Sequence, residues 1–256
     1  MRAAIDFGTT LTKVVVMNKN KVQKKKLFKD SSLILVKKFL RDDLPKISTL
    51  HYTRSNRKTM EGAFLGVEVK QEDELKALVR GARYLSRKKT GLVVSLGTGT
   101  AIMVDGKHAG GTPIGGGMIQ GLCELLTGTS DLHEISNLAR QGNIQKTATL
   151  IKNIYPKGIG GLHPNDIASY FSRVSYPNRG DIALAIITVV GETLGMIVGM
   201  TAKAHRARNV VMVGNVSKIK QVTSLIEKRA RRIAGKSVTF TVPKNAEYAV
   251  AIGCMV

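Results

Sequence analysis

Eight residues near the N-terminus, Asp6-Phe7-Gly8-Thr9-Thr10-Leu11-Thr12-Lys13, restrict the fold more than any other stretch. They join two short runs that read as strands, Arg2–Ile5 and Lys13–Met17. A Gly/Thr turn between strands fits a phosphate hairpin, because glycine lets the backbone approach an anion that N–H groups and hydroxyls then contact. Asp6, at the end of the first strand, is suited to hold a metal ion through water beside that phosphate. An ordinary hairpin turn has the same composition.

The pattern occurs twice. After Gly91, apolar runs at Leu92–Leu96 and Ala101–Asp105 flank Gly97-Thr98-Gly99-Thr100. Two such hairpins suggest two related halves, 1–90 and 91–256, facing each other across a cleft, both turns meeting one ligand. Next comes Gly110-Gly111-Thr112-Pro113-Ile114-Gly115-Gly116-Gly117, leading into an apolar helix through Leu126. A glycine-rich loop opening a helix offers free N–H groups and a positive dipole end, which suits an anion; a flexible loop or tight helix packing is the plainer reading. A later strand, Asn209–Val213, ends in Gly214-Asn215, a good place for a nucleoside at the C-terminal edge of a sheet, or a plain strand–helix turn.

The remaining elements follow from periodicity. Strands are expected at Lys21–Phe28, Ile47–Tyr52, Phe64–Val67 and Ser237–Val242. Helices are expected at Ser31–Leu40, Glu72–Arg87, Asp131–Arg140, Asn143–Ile154, Pro164–Phe171, Arg179–His205, Ile219–Ile233 and Asn245–Cys254, with a turn at Gly158–Gly161. In Glu72–Arg87 the apolar residues Leu75, Leu78, Val79, Ala82 and Leu85 recur at helical spacing.

Charge bears on partners. Forty Lys and Arg against 18 Asp and Glu give a formal +22, a field that attracts anions, ATP-like substrates among them. The cations are spread along the chain, with no Trp and no interleaved aromatic platform, so a dedicated nucleic-acid site is not indicated. Ile182–Ala202 is long and apolar enough to span a bilayer, but Glu192 at its centre points to a buried core helix and no membrane. Cys123 and Cys254 belong to no CxxC pair, which suggests buried, reduced thiols in a cytoplasmic protein.

Taken together, Asp6-Phe7-Gly8-Thr9-Thr10…Lys13, Gly97-Thr98-Gly99-Thr100 and the segment from Gly110 to Leu122 resemble type II pantothenate kinases, of the actin-like ATPase superfamily. Val189-Val190-Gly191-Glu192 and Val213-Gly214-Asn215 follow in the family's order, and the resemblance covers nearly the whole chain. It implies an α/β, actin-like ATPase fold of two ribonuclease-H-like halves with a nucleotide cleft between them, the last helix being free to pack back on the first half. It implies transfer of the γ-phosphoryl of ATP, with Mg²⁺, to the primary hydroxyl of pantothenate by a homodimer, the first step towards coenzyme A.

Carried over by position, Asp6, Phe7, Gly8, Thr9, Thr10, Leu11, Thr12 and Lys13 would cradle the phosphates. Thr98, then Gly116, Gly117, Met118, Ile119 and Gln120, would bind the nucleotide, with Asn215 near the adenosine and Gly97 near the acceptor. The family's base is a glutamate a fixed distance before a helix glycine. Glu74-Leu75-Lys76-Ala77 matches it, with Gly81 seven residues on, so Glu74 would take the hydroxyl proton. Glu68 is a weaker alternative, and an exposed carboxylate at a helix N-terminus is the bland one.

One departure concerns the acceptor. Seven residues before the Gly triplet the family places an arginine that holds the substrate, where this chain has His108 beside Lys107. Histidine gives a carboxylate no planar fork. Either a neighbouring cation compensates, or the acceptor is a relative such as pantetheine. A sugar kinase of the same superfamily and an ATP-binding protein without turnover are the remaining alternatives.

Overall fold

The computed structural model describes residues 1–29, 32–54, 57–88 and 91–256. The elements in order are β1 (Arg2–Phe7), β2 (Thr12–Asn18), β3 (Lys21–Phe28), α1 (Leu33–Leu40), β4 (Thr49–Tyr52), α2 (Arg57–Ala63), β5 (Glu68–Gln71) and α3 (Glu74–Ser86). Then follow β6 (Leu92–Leu96), β7 (Thr100–Val104), β8 (Lys107–Thr112), α4 (Gly116–Thr127), α5 (Leu132–Arg140), β9 (Ala148–Leu150), β10 (Ile167–Tyr170) and α6 (Arg179–Ala204). The last are β11 (Asn209–Val213), α7 (Lys220–Ala234), β12 (Thr239–Thr241) and α8 (Ala249–Gly253).

Two five-stranded sheets carry the fold, in the orders β3-β2-β1-β4-β5 and β8-β7-β6-β11-β12. Read this way they match strand for strand. In each, a hairpin strand pairs antiparallel with its successor (β1 with β2, β6 with β7) and parallel with a later strand (β1 with β4, β6 with β11). The doubled Gly/Thr hairpin thus marks a doubled sheet.

By contacts the chain forms two compact units: Met1–Gly111 with Ala207–Lys218 and Val238–Val256, and Thr112–Arg206 with Ile219–Ser237. The first holds both sheets. Its first sheet is buried on both faces, which explains why β1 and β2 are continuously apolar through their middles, Ala3–Ile5 and Val14–Met17. Ala3, Ile5, Val14 and Val16 pack with Val36 and Leu40 of α1 and with Met60 and Phe64. Ala4, Val15 and Met17, on the opposite face, pack with Ala77 of α3 and with Ala251 and Ile252 of α8. The other side of α3, Leu78, Val79 and Ala82, meets Val93, Met103, Val211 and Val213 of the second sheet. Helices α3 and α8 therefore form a layer that both sheets share.

That layer is close-packed through glycine. A Cβ on Gly81 would be driven into the carbonyl oxygen of Ala249, and one on Gly253 into that of Ala77. The two backbones touch directly. Helix α3 is capped by Asp73, whose carboxylate accepts from the Lys76 N–H at 2.8 Å, and it ends at Arg87 in the left-handed conformation, φ 54°.

The second unit is built around α6, which contacts α4, α5 and α7. Gly191, Gly195 and Gly199 form a stripe at four-residue spacing against α7. A Cβ on Gly195 would lie 2.7 Å from Cβ of Arg229 and 3.0 Å from the Ile226 carbonyl oxygen. The segment long enough for a bilayer is thus mostly covered by protein. Its central carboxylate is answered: the Tyr170 hydroxyl donates to Oε2 of Glu192 at 2.8 Å. Burial, then the Glu192 charge, pushes the Tyr170 phenol above its usual range.

Some boundaries differ from the sequence expectation. The strand expected at Phe64–Val67 lies instead at Glu68–Gln71, because Gly66 turns the chain with φ 81°. The helix expected over Asn143–Ile154 is two 3₁₀ turns, Ile144–Lys146 and Ile151–Asn153, around β9. Pro164–Phe171 is not helical either: Ile167–Tyr170 is a strand that pairs with β9. The helix expected from Ser31 starts at Leu33; Ser31 itself lies outside the described residues.

Candidate active site

The first hairpin turn is narrow for a stated reason. The Gly8 N–H donates to the carbonyl oxygens of Asp6 and Leu11, each at 3.1 Å. A Cβ there would lie 2.8 Å from the Leu11 oxygen and 3.3 Å from Lys13 Nζ. Phe7 packs into the core and the Thr12 side chain is buried, so neither offers its side chain to an outside ligand. Among the described residues the Thr12 hydroxyl has no hydrogen-bond partner. Thr9 and Thr10, at the tip, are exposed. We expect Gly8→Ala to weaken ATP binding by about tenfold, some 1.4 kcal/mol, because the turn must open to admit the methyl group. Titration calorimetry with ATP measures this directly, and an unchanged affinity would separate the turn from the nucleotide.

Asp6 is only 2% exposed, and both its oxygens are held. Lys13 Nζ donates to Oδ2 at 2.9 Å and the Thr53 hydroxyl to Oδ1 at 3.1 Å. Thr53 in turn accepts from the Phe7 N–H at 3.3 Å. The parallel register Ile5↔Tyr52 creates this contact by setting the next residue of each chain segment, Asp6 and Thr53, side by side. Buried and engaged at both oxygens, this carboxylate is better suited to contact with an ion through water than to direct ligation. Among the described residues no group of three His, Cys, Asp or Glu could hold a metal unaided. The donor set therefore fits Mg²⁺ that arrives with a polyphosphate and keeps most of its waters. The pocketed glycine, the adjacent hydroxyls and Lys13 likewise fit the polyphosphate.

The second turn closes with the Gly97 N–H donating to the Gly99 oxygen at 2.9 Å. Its Thr98 hydroxyl lies 2.8 Å from that of Thr10. The two turns read from the sequence as a pair do meet, tip to tip. Asn215 is brought alongside by Gly214, whose φ of 93° only glycine adopts easily. A Cβ on Gly214 would lie 2.5 Å from the Leu96 oxygen, so β11 delivers Asn215 to the end of β6, where the second turn starts.

Glu74 is the first residue of α3 and 30% exposed at its side chain. Gly81 sits two turns on along the same stripe of the helix, locked against α8. The fixed interval between glutamate and glycine thus has a physical basis: the glycine sets the depth of the helix, and the glutamate projects from its end. Oε2 of Glu74 accepts a hydrogen bond from Nε of Arg54. The same guanidinium donates through its NH1 nitrogen to the Thr9 hydroxyl at 3.0 Å. Close by, Glu72 bonds His51 Nδ1 at 2.9 Å and Arg80 at 2.7 Å. Burial works to raise the Glu72 carboxyl, but these hydrogen bonds, Arg80 first, hold it below its usual range. Glu68 stands apart on the edge strand β5, tied to Thr49 and Lys70.

In the second unit, α4 starts at Gly115 with no side-chain cap. Gly116, Gly117 and Met118 thus form its first turn with N–H groups that the helix itself leaves unpaired. Ile119 is buried, and Gln120 is committed to the Ser130 carbonyl oxygen at 2.9 Å. One turn further, Cys123 is enclosed, and burial pushes its thiol up to about 11. His108 lies exposed on the edge strand β8, its ring beside Gly111.

Thr53 and Arg54 had no signal of their own in the sequence. Their place follows only from the pairing of β1 with β4, which no local pattern announces.

Comparison with known proteins agrees with this fold. Residues 90–256 match the family model described as Fumble. A type II pantothenate kinase from Oceanobacillus iheyensis is 28% identical over 99% of this chain and 98% of its own. Among solved structures, component A of the (R)-2-hydroxyglutaryl-CoA dehydratase of Acidaminococcus fermentans superposes with a TM-score of 0.67 at 15% identity, covering 99% of this chain and 95% of that one. A ROK family glucokinase from Streptomyces griseus does so with a TM-score of 0.62 at 11% identity, covering 99% and 97%. The fold is the actin-like ATPase fold, and the chain belongs to the Fumble family, the family its resemblance to type II pantothenate kinases pointed to.

Proposed function

We propose that this chain is an ATP-dependent kinase that phosphorylates the primary hydroxyl of pantothenate, the first step towards coenzyme A. The observation that carries the reading is the meeting of two Gly/Thr turns at Thr10 and Thr98, with the carboxylate of Glu74 tied to the same tip through Arg54 and Thr9. Polyphosphate recognition and a proton acceptor then share one place, which is what phosphoryl transfer to an alcohol requires. The repeated strand order supports reading 1–90 and 91–256 as two related halves.

In this reading the N–H groups and hydroxyls from Gly8 to Leu11 hold the phosphates, Lys13 offsets their charge, and Thr98 and Asn215 bind the nucleotide from the second hairpin and β11. The first turn of α4, Gly116 to Gln120, is a further anion-binding element. Mg²⁺, held by the phosphates and through water by Asp6, would neutralise charge on the transferring phosphoryl. Glu74 accepts the hydroxyl proton. Gly97 and His108 are assigned to the acceptor. The two free, buried cysteines support a reducing, cytoplasmic setting. Apolar side chains left exposed on α4 and α6, Leu125, Leu126 and Met200, support a homodimer.

The test is ADP release with Mg-ATP against pantothenate, pantetheine and simple sugars. Turnover of pantothenate is the expected result. Turnover of pantetheine alone would move the acceptor to the second reading, which His108 in place of an arginine favours. ATP binding without turnover of any compound would overturn the kinase assignment.

A further inference from the structure

Arg54 is the least expected member of the site. Its backbone lies in the left-handed region, φ 53°, where glycine is at ease and an arginine is not. Its side chain is half exposed, so burial does not explain it. What the residue does is bridge: one nitrogen to Thr9 at the tip of the phosphate hairpin, another to the carboxylate of Glu74. A guanidinium forks between two acceptors in fixed geometry, and it prefers phosphate oxygens as readily as carboxylates.

We infer that Arg54 is a phosphoryl-binding catalytic residue that exchanges Glu74 for the γ-phosphoryl group when ATP occupies the hairpin. The inference rests on the kinase reading of the same site. In the structure the guanidinium holds Glu74, and an oxygen engaged in this way is poorly placed to take a proton. The γ-phosphoryl, seated at the Thr9 tip, lies within reach of the same fork and carries more charge than one carboxylate. As Arg54 turns to it, Glu74 is released towards the acceptor. In the transfer, the acceptor oxygen forms a bond to the γ-phosphorus while the bond to the β–γ bridging oxygen breaks, and that electron pair leaves with ADP. The hydroxyl proton passes to Glu74. Arg54 donates to the equatorial oxygens throughout, where the negative charge is spread. The site would thus arm its base only when the triphosphate is present.

Arg54→Gly is the informative variant, because the left-handed backbone accepts glycine and the fold is kept. Two affinities are measured by calorimetry, for ADP and for the non-hydrolysable analogue AMPPNP, each with Mg²⁺. The expected result is at least tenfold weaker AMPPNP binding with ADP unchanged, and kcat lowered about 10²-fold or more with the acceptor KM within threefold. Arg54→Lys keeps the charge and loses the fork, and should recover only part of kcat. Equal losses for ADP and AMPPNP, or a kcat within threefold of wild type, would overturn the inference and leave Arg54 a tether of the turn. A wild-type protein inert towards every acceptor would sink the kinase reading. The AMPPNP against ADP comparison would still decide whether Arg54 meets the γ-phosphoryl.

Discussion

Glu74→Gln leaves Mg-ATP affinity within about threefold of wild type and lowers kcat by about 10²–10⁴-fold, the range that general base catalysis contributes. The substitution keeps size and one acceptor oxygen, and removes the negative charge and with it the ability to accept a proton. Glutamine still has an oxygen to accept from Arg54, so the link to Thr9 is preserved and the hairpin is undisturbed. Steady-state ADP release under saturating ATP and acceptor gives kcat, and calorimetry gives the affinity. A variant with near wild-type kcat would remove Glu74 from the chemistry and return it to the role of a carboxylate at the N-terminus of a helix. Loss of ATP affinity together with kcat would instead make it a structural strut of the turn.

Gly81→Ala lowers stability by about 3 kcal/mol or more, at the top of the range for overpacking, and the thermal midpoint by about 10 °C. Local propensity argues for the opposite sign, since alanine in a helix interior is favoured over glycine by about 1 kcal/mol. The reversal makes the result diagnostic. The added methyl group meets the main-chain oxygen of Ala249, which belongs to α8 and cannot rotate away as a side chain would. Relief requires moving α8, whose other contacts include Ala4, Val15 and Met17 of the first sheet. Gly121→Ala, in α4 with nothing near its Cβ position, is the control and should be neutral or mildly stabilising. Denaturant midpoints for the two variants check the pair. The loss at Gly81 should carry a functional cost as well, since Glu74 rides at the end of the same helix.

Both predictions rest on features that the sequence exposed to different degrees. The two hairpins were legible because β1, β2, β6 and β7 are short, apolar and broken by Gly/Thr turns, a local pattern that tertiary structure has no reason to override. Glu74 and Gly81 were legible only as a spacing. What the spacing means, a helix pressed onto a second backbone, depends on α8, which enters far along the chain. Arg54 was invisible. Its partners lie 45 residues before it and 20 after it, and nothing in its neighbourhood marks a left-handed residue. The misread stretch from Asn143 to Phe171 failed for a different reason. Its apolar residues, Ile144, Leu150, Ile151 and Ile154, fall three or four apart often enough to mimic a helix. Pairing of β9 with β10 decides otherwise. Two of the four edge strands of the large sheets were also hard to see, while β3 and β12 were read: β5 buries only Val69, and β8 is exposed and glycine-rich.

The shared layer of α3 and α8 has a consequence for how this chain comes off the ribosome. Strands β1 and β2 precede the rest of their sheet in the chain, and Ala4, Val15 and Met17 on one face of them are covered by Ala77 of α3 together with residues from Tyr248 onward. Until that later segment is made the face lacks this part of its native cover, and closing it joins segments that lie far apart in the chain. Long-range closure of this kind is slow and leaves nascent sheets open to aggregation. Until α8 is in place, part of the opening hairpin's apolar face stays exposed, and the nascent chain carries that aggregation hazard late into its synthesis.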